Sequence, residues 1–344
     1  VLADLPLNSF IVGGYIRDLI IGKKIKSQDI DLDIIVPKNS YIVGNNIAKK
    51  HKGRLIILDK DREIVRILIK DIMIDIAPQI SDSLIEDLNS RDFTINSISF
   101  SLDSKLIFDP LNGINDINKS LLRTYQAKNL IDDPLRILRC FRFVSELNFC
   151  IDKNLFALVK QYKDRLSLVS VERIQYEFKK IIRGENAFNT IVLIKQINLF
   201  EWLQSDKMCS PINCAKSSLN NFKKDETKKY LPIFYLIETL NKISIEKLKF
   251  SKTEASEAYT LRKWKDKLMQ KSINDFNELE RFSLHKELEN FLPAIILYLP
   301  EKDQLDWLER WRNKEDKLFH PTNIVDGNQI KKYLKINDGP LLGE

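Results

Sequence analysis

The sequence is poor in several residue types, and each scarcity excludes a class of protein. Only four cysteines occur in 344 residues, Cys140, Cys150, Cys209 and Cys214, and none forms a C-x-x-C pair. No disulfide framework is written here, so a reducing compartment is expected, the cytosol by default. The longest apolar stretch, Phe291 to Pro300, is too short to cross a bilayer, and no membrane partner is expected. His51, His285 and His320 stand without metal-ligand spacing, and Cys209 and Cys214 lack the partners of a zinc site. The His-Asp dipeptide is absent, so a metal phosphohydrolase domain of that type has no support.

Glycine is scarce too, and its placement organises the chain. Six of the ten glycines lie between Gly13 and Gly113, and then only Gly184 appears before Gly327. Gly costs roughly 1 kcal/mol against Ala inside a helix, so the Gly-poor part reads as helical and the front third as turn-rich and mixed. In that third, short Ile- and Val-rich runs predict strands at Phe10–Val12, Asp31–Val36, Leu55–Leu58, Ile64–Ile69, Ile72–Ala77 and Thr94–Phe100. Helices are expected at Tyr15–Ile21 and Ser40–Lys50. Beyond about residue 118 the apolar spacing is helical, as in Leu135, Leu138, Phe141 and Leu147 or in Ile174, Phe178 and Ile181. The length permits about two or three domains.

What is abundant is charge, and it is unevenly spread. The chain carries a formal +7, and the stretch from Lys119 to Gly184 holds 14 Lys and Arg against 7 Asp and Glu, so the whole excess sits there. Such a stretch is either a solvated helical face or the basic surface that a polyanion needs.

Two motifs carry chemistry. Gly13-Gly14-Tyr15-Ile16-Arg17-Asp18 follows an apolar strand and precedes a helical run. Adjacent glycines let backbone N–H groups approach a phosphate, and Arg17 adds a forked donor, although a strand–turn–helix connection needs glycine anyway. Next, Asp29, Asp31 and Asp33 alternate before Ile34-Ile35-Val36. Residues i and i+2 of a strand share a face, so a pair of these carboxylates projects together and repels unless a cation sits between them. That arrangement suits two Mg²⁺ ions for nucleotidyl transfer; a solvent-facing edge strand is the plainer alternative.

The ordered set of motifs is more specific than either one. G-G-x-x-R-D and D-x-D are followed by Arg91-Asp92-Phe93-Thr94-Ile95-Asn96, then by Asp109-Pro110 with Gly113 and Asp116. After these come Asp132-Asp133-Pro134-Leu135-Arg136 with Arg139 and Arg142-Phe143, and then Glu172-Arg173-Ile174. Over residues 11 to about 183 the chain resembles the class II tRNA nucleotidyltransferase and bacterial poly(A) polymerase family. The resemblance implies an α/β nucleotidyltransferase head, a polymerase-β-like mixed sheet with helices, followed by an all-α neck, body and tail. Expected boundaries are 1–118 for the head, 119–184 for the neck, 185–250 for the body and 251–344 for the tail. Near the end, Asp326-Gly327 and Gly339-Pro340-Leu341-Leu342-Gly343-Glu344 are similar to a turn that the family follows with one more helix, so the tail is expected to stop short of it.

The same resemblance implies roles. Gly13, Gly14 and Arg17 would hold a triphosphate, and Asp31 and Asp33 would be the catalytic metal pair for Mg²⁺, with Asp29 and Asp31 the other register and Asp75 a supporting carboxylate. Arg91, Asp92 and Asn96 would contact ribose and phosphates, with Ser90 standing where the family usually has a second basic residue. Asp133 and Arg136, at i and i+3, would read the edge of CTP or ATP, and Arg139 and Arg142 would line the same nucleotide site. Asp133 before Pro134 is also a good helix cap, and Asp132 replaces a more usual Glu. Glu172-Arg173-Ile174 would brace the pocket. The connection from Asp75-Ile76-Ala77 to Leu84 is short, which resembles members that add only two cytidines.

The implied partner is the tRNA acceptor end, lying along the basic helices after Lys119. The alternatives are a poly(A) polymerase or A-adding enzyme, and a non-catalytic RNA-binding relative. Trp307 and Trp311 could stack a base or pack a helix, and Lys223-Lys224 and Lys228-Lys229 could touch RNA backbone or simply be solvated.

Overall fold

The computed structural model describes residues 1–24, 30–81, 83–203, 212, 214–320 and 327–335. Asp29, Cys209 and the Gly339–Glu344 turn lie outside the described residues, and with them the alternative aspartate register. The chain forms two compact units, residues 1–207 and 208–344. The segments expected as head and neck fall in the first, together with the opening of the expected body.

The first unit is built on seven strands: β1 (Phe10–Val12), β2 (Ile30–Val36), β3 (Arg54–Asp59), β4 (Ile64–Ile69), β5 (Ile72–Pro78), β6 (Ser99–Ser101) and β7 (Ile107–Phe108). Their order is β3-β4-β5-β2-β1-β6-β7, and only β2 and β5 pair in parallel. Strand alternation gives the two faces different jobs. Leu32, Ile34, Ile74, Ile76, Val65 and Ile67 are buried on one face, where helix α2 (Ser40–Lys50) packs; α1 (Gly14–Ile20) follows β1. Each such side chain contributes roughly 1.5–3 kcal/mol when fully buried. The other face carries Asp31, Asp33, Asp75 and Arg66, with Val12, Ile35 and Leu88 forming an apolar floor beside them.

One expected strand is corrected. Thr94–Asn96 is a turn of 3₁₀ helix, and the strand begins only at Ser99. Side-chain bonds outcompete the extended backbone here: Thr94 Oγ1 donates to Asp116 at 2.6 Å, and Asn96 Nδ2 donates to Asp92 at 2.9 Å.

Helices α3 (Leu84–Asn89), α4 (Gly113–Asn118), α5 (Lys128–Asp132), α6 (Leu135–Leu147), α7 (Lys153–Tyr162), α8 (Val171–Arg183) and α9 (Ala187–Gln196) complete this unit. Between them β8 (Leu121–Leu122) pairs in parallel with β9 (Cys150–Ile151). Helices α6 and α8 pack together: α6 buries Ile137, Leu138 and Phe141, and α8 buries Ile174, Phe178 and Ile181, as their spacing requires.

The second unit is helical through its described residues: α10 (Lys224–Thr239), α11 (Lys242–Lys247), α12 (Lys252–Gln270), α13 (Glu278–Leu288), α14 (Leu292–Ile296), α15 (Glu301–Arg312) and α16 (Gly327–Leu334). The two tryptophans of α15 are packing residues. Trp307 stacks on the buried His285 at 5.3 Å, and Trp311 meets Tyr230 edge-on at 5.1 Å. Among the described residues no helix is long and apolar enough to cross a membrane.

Candidate active site

The site opens at the turn between β1 and α1. Gly13 has φ +76°, and a Cβ there would lie 3.0 Å from Asp33 Oδ2 and 3.3 Å from Arg91 Nη1. Glycine is therefore required twice over, by the backbone and by the space between carboxylate and guanidinium. At Gly14 an added Cβ would make only an ordinary 3.5 Å contact with Arg17 Nη2. Arg17 is 8% exposed; its Nη1 donates to Asn96 Oδ1 at 2.7 Å and its Nε to Asp18 Oδ1 at 2.7 Å.

Asp31 and Asp33 stand on the same face of β2, and among the described residues neither carboxylate has a hydrogen bond or an ion pair. Asp75, the cross-strand neighbour of Asp33, differs. Arg66 Nε and Nη2 donate to its two oxygens, both at 2.7 Å. Burial is the main cause that pushes the Asp33 carboxyl up to about 6; Asp31 and Asp75 add to it, while Arg91 and Arg139 act against it. Asp31 is raised too, first by burial and then by Asp75, with Arg66 and Lys180 opposing. Two unpaired, repelling oxygen donors suit a hard divalent cation such as Mg²⁺. No group of three or more His, Cys, Asp or Glu among the described residues could hold a metal; water and substrate phosphates are ordinary further ligands of Mg²⁺.

Asp92 is the hub beneath the pair. Its Oδ2 accepts from Arg139 Nε at 2.9 Å and Nη2 at 2.6 Å, while its Oδ1 accepts from Asn96 Nδ2 and from the Phe93 N–H, each at 2.9 Å. Burial alone would raise this carboxyl, but Arg139 and the bond from Asn96 hold it at about 2. Asp92, expected to meet a ribose hydroxyl, is thus engaged with protein donors on both oxygens. Arg17 is tied to it through Asn96.

The base-reading candidates lie at the start of α6. Asp133 accepts from Arg173 Nη2 at 3.0 Å and from the Leu135 N–H at 3.3 Å, so the cap-like bond and the bracing role expected of Arg173 meet on one carboxylate. Arg136 Nη1 donates to the Ser90 carbonyl at 2.7 Å and to the Asn129 carbonyl at 3.1 Å. Arg142 is bound to Glu146 and to the buried Glu177. The guanidinium carbons of Arg17, Arg139 and Arg142 lie 5.0, 5.5 and 5.4 Å from the centre of the Phe143 ring. Two residues of the site lie outside the motifs, Arg66 and Glu177. Arg66 was findable, because a two-residue turn at Lys70-Asp71 fixes Ile69 opposite Ile72 and hence Arg66 opposite Asp75. Glu177 was findable as a carboxylate on the apolar face of α8.

A mixed sheet whose central strand carries two carboxylates without partners among the described residues, beside a Gly-Gly turn, is the arrangement expected of a nucleotidyltransferase head. Residues 9–123 match the family model of the poly A polymerase head domain, and residues 148–206 match that of the probable RNA and SrmB-binding site of polymerase A. Through these two segments the chain belongs to the poly A polymerase head-domain family. It is 27% identical to a CC-adding tRNA nucleotidyltransferase of a Synechocystis species, over 100% of this chain and 88% of that protein. It is 34% identical to a CC-adding tRNA nucleotidyltransferase of Shouchella clausii, over 51% of this chain and 44% of that one, so it spans less than half of the latter. In fold it is similar to a Thermotoga maritima CCA-adding enzyme solved in complex with tRNA, with a TM-score of 0.75, 22% identity, and coverage of 97% of this chain and 84% of that one.

Proposed function

We propose that this protein adds nucleotides to the 3′ end of tRNA without a template, using CTP and stopping after two cytidines. The observation that carries the reading is the Asp31 and Asp33 pair, without a hydrogen bond or ion pair among the described residues, with Asp33 Oδ2 3.0 Å from the Cβ position of Gly13. Gly13, Gly14 and Arg17 hold the triphosphate, Arg17 being aimed by Asn96. Asp31 and Asp33 would hold Mg²⁺, which when bound supplies Lewis-acid stabilisation of the reacting phosphoryl oxygens. The primer 3′-hydroxyl gives up its proton to solvent and attacks the α-phosphorus in line; a new P–O bond forms, the bond to the β-phosphate breaks, and pyrophosphate leaves with its electron pair.

Base choice follows from polarity. Asp133 is an acceptor with lone pairs to spare beside Arg173, and Arg136 commits only Nη1 to backbone carbonyls, which leaves Nη2 as a donor. Cytosine offers an N4 amino donor beside the N3 acceptor, and adenine offers N6 beside N1. Uracil and guanine present the opposite polarity and would leave buried groups unpaired. The cytidine-only reading draws on the short connection between β5, which ends at Pro78, and α3, which begins at Leu84. The CC-adding names of the two relatives favour it as well.

The test is incubation of the protein with Mg²⁺, each nucleoside triphosphate in turn, and tRNA transcripts lacking the 3′ end or ending in CC. Two cytidines and no adenosine are expected. Adenosine added to the CC transcript would replace the reading by full C-C-A addition, and no incorporation at all would overturn the transferase reading.

A further inference from the structure

Helix α8 lays one exposed face alongside the site, and beyond Arg173 its residues are not used by the chemistry above. Arg173, Tyr176 and Lys180 follow one another at spacings of three and four, opposite the buried Ile174, Phe178 and Ile181. At one end, Arg173 is bonded to Asp133 at 3.0 Å. In the middle, Tyr176 is 59% exposed. Lys180 Nζ sits 4.2 Å from the Tyr176 ring centre and has no hydrogen bond or ion pair among the described residues. Its charge also reaches Asp31. Next to Tyr176, Glu177 meets Arg139, the partner of Asp92, at 3.8 Å, so α8 runs from the base-reading carboxylate past that pair to Lys180, about 10 Å of helix at 1.5 Å per residue.

The direction of approach separates this face from the nucleotide side. Asp33 backs onto the Gly13 turn, where Arg17 also lies, so an incoming triphosphate fills that side of the pair. Asp31 is the exposed member, and it is the one at which the Lys180 charge is felt. A strand end arriving there would meet an aromatic face and a free ammonium within one nucleotide's length. Those are the two elements of single-strand recognition without base-edge reading: stacking, and charge on the backbone.

We propose that Tyr176 and Lys180 form the seat of the primer's 3′-terminal nucleotide, the ring stacking on its base and the ammonium pairing with its phosphate. The seat rests on the tRNA-extension reading and deepens it. Because a π-face accepts any base, it holds the discriminator nucleotide and each added cytidine alike while the growing end is repositioned.

The experiment compares wild type with Tyr176→Ala, Tyr176→Leu, Tyr176→Phe, Lys180→Ala and Lys180→Arg. It records kcat and KM for tRNA lacking its 3′ end, KM for CTP, and tRNA affinity against salt. Tyr176→Ala and Tyr176→Leu raise the KM for tRNA roughly five- to a hundredfold and leave the KM for CTP within about twofold, while Tyr176→Phe stays near wild type. Lys180→Ala weakens tRNA binding and lowers the salt slope by about one, and Lys180→Arg restores both. A Tyr176→Leu variant equal to Tyr176→Phe, or a loss that falls on CTP instead of tRNA, overturns the seat. Leu and Phe both keep the bulk of the side chain, so this comparison decides even if Tyr176→Ala folds poorly. A wild type that adds no nucleotide overturns the tRNA-extension reading; a wild type that adds cytidine while the Tyr176 variants match it overturns the seat alone.

Discussion

Replacing Arg139 by Met should do more harm than its surface position suggests. Arg139 gives two of the four hydrogen bonds that Asp92 accepts, at 2.9 and 2.6 Å, and the Asp92 side chain is 8% exposed. Methionine keeps the length and apolar stem but leaves a buried carboxylate with only Asn96 and the Phe93 N–H. Breaking a buried pair in this way costs about 3–5 kcal/mol; with the Arg139 side chain 30% exposed, water reaches the site and about 2–4 kcal/mol is expected. The pH dependence carries a sign that a general packing defect would not. In the wild type the Asp92 carboxyl lies at about 2, below its ordinary 3.8, so its stabilisation is complete above pH 3.8 and is lost as the pH falls toward 2. That gap corresponds to about 2 kcal/mol. Without Arg139, burial dominates and lifts the carboxyl above its unfolded value, so protonation relieves the variant where it harms the wild type. Urea unfolding followed by circular dichroism, at neutral pH and near pH 3, measures both effects. Asp92→Asn with Arg139→Met should cost clearly less than the two single changes added together. A variant as stable as wild type at neutral pH, or one with an unchanged acid slope, would refute the assignment of Asp92 and Arg139 as the buried hub.

Two further substitutions probe the site directly. Gly13→Ala places a Cβ 3.0 Å from Asp33 Oδ2 at φ +76°, so it should lose activity and about 1–3 kcal/mol of stability. Gly14→Ala, with an ordinary contact, should melt near wild type; equal melting of the two variants would contradict the geometry. Arg136→Ala removes the donor fork and should lower the preference for CTP over UTP in competition assays by roughly tenfold or more. Unchanged selectivity would remove Arg136 from base reading.

The sequence legibility of this protein varies with the range of the interactions. Strands β1 and β4 and helix α2 begin and end where the residue pattern predicts, because each is bounded by local turn chemistry. Thr94–Asn96 misled because Ile95 and Ile98 read as strand, whereas the deciding bonds run to Asp116 and Asp92, one of them 22 residues away. The acidic pair was legible from strand alternation. The Arg66–Asp75 pairing required hairpin register, and the Asp133–Arg173 contact joins residues 40 apart that no local rule connects. Resemblance named Arg139 and Arg142 as nucleotide-site residues, but their visible partners are Asp92, Glu146 and Glu177.

The most direct measurement is incorporation of labelled CMP from CTP by Asp31→Asn and Asp33→Asn, with Mg²⁺ and tRNA lacking its 3′ end. Both amides keep the shape of the side chain, and at Asp33 the change removes a half-buried charge that has no hydrogen bond or ion pair among the described residues. The variants should therefore fold at least as well as wild type in metal-free buffer and still bind tRNA, yet add no cytidine. Cytidine addition by either variant within tenfold of the wild-type rate would contradict the account.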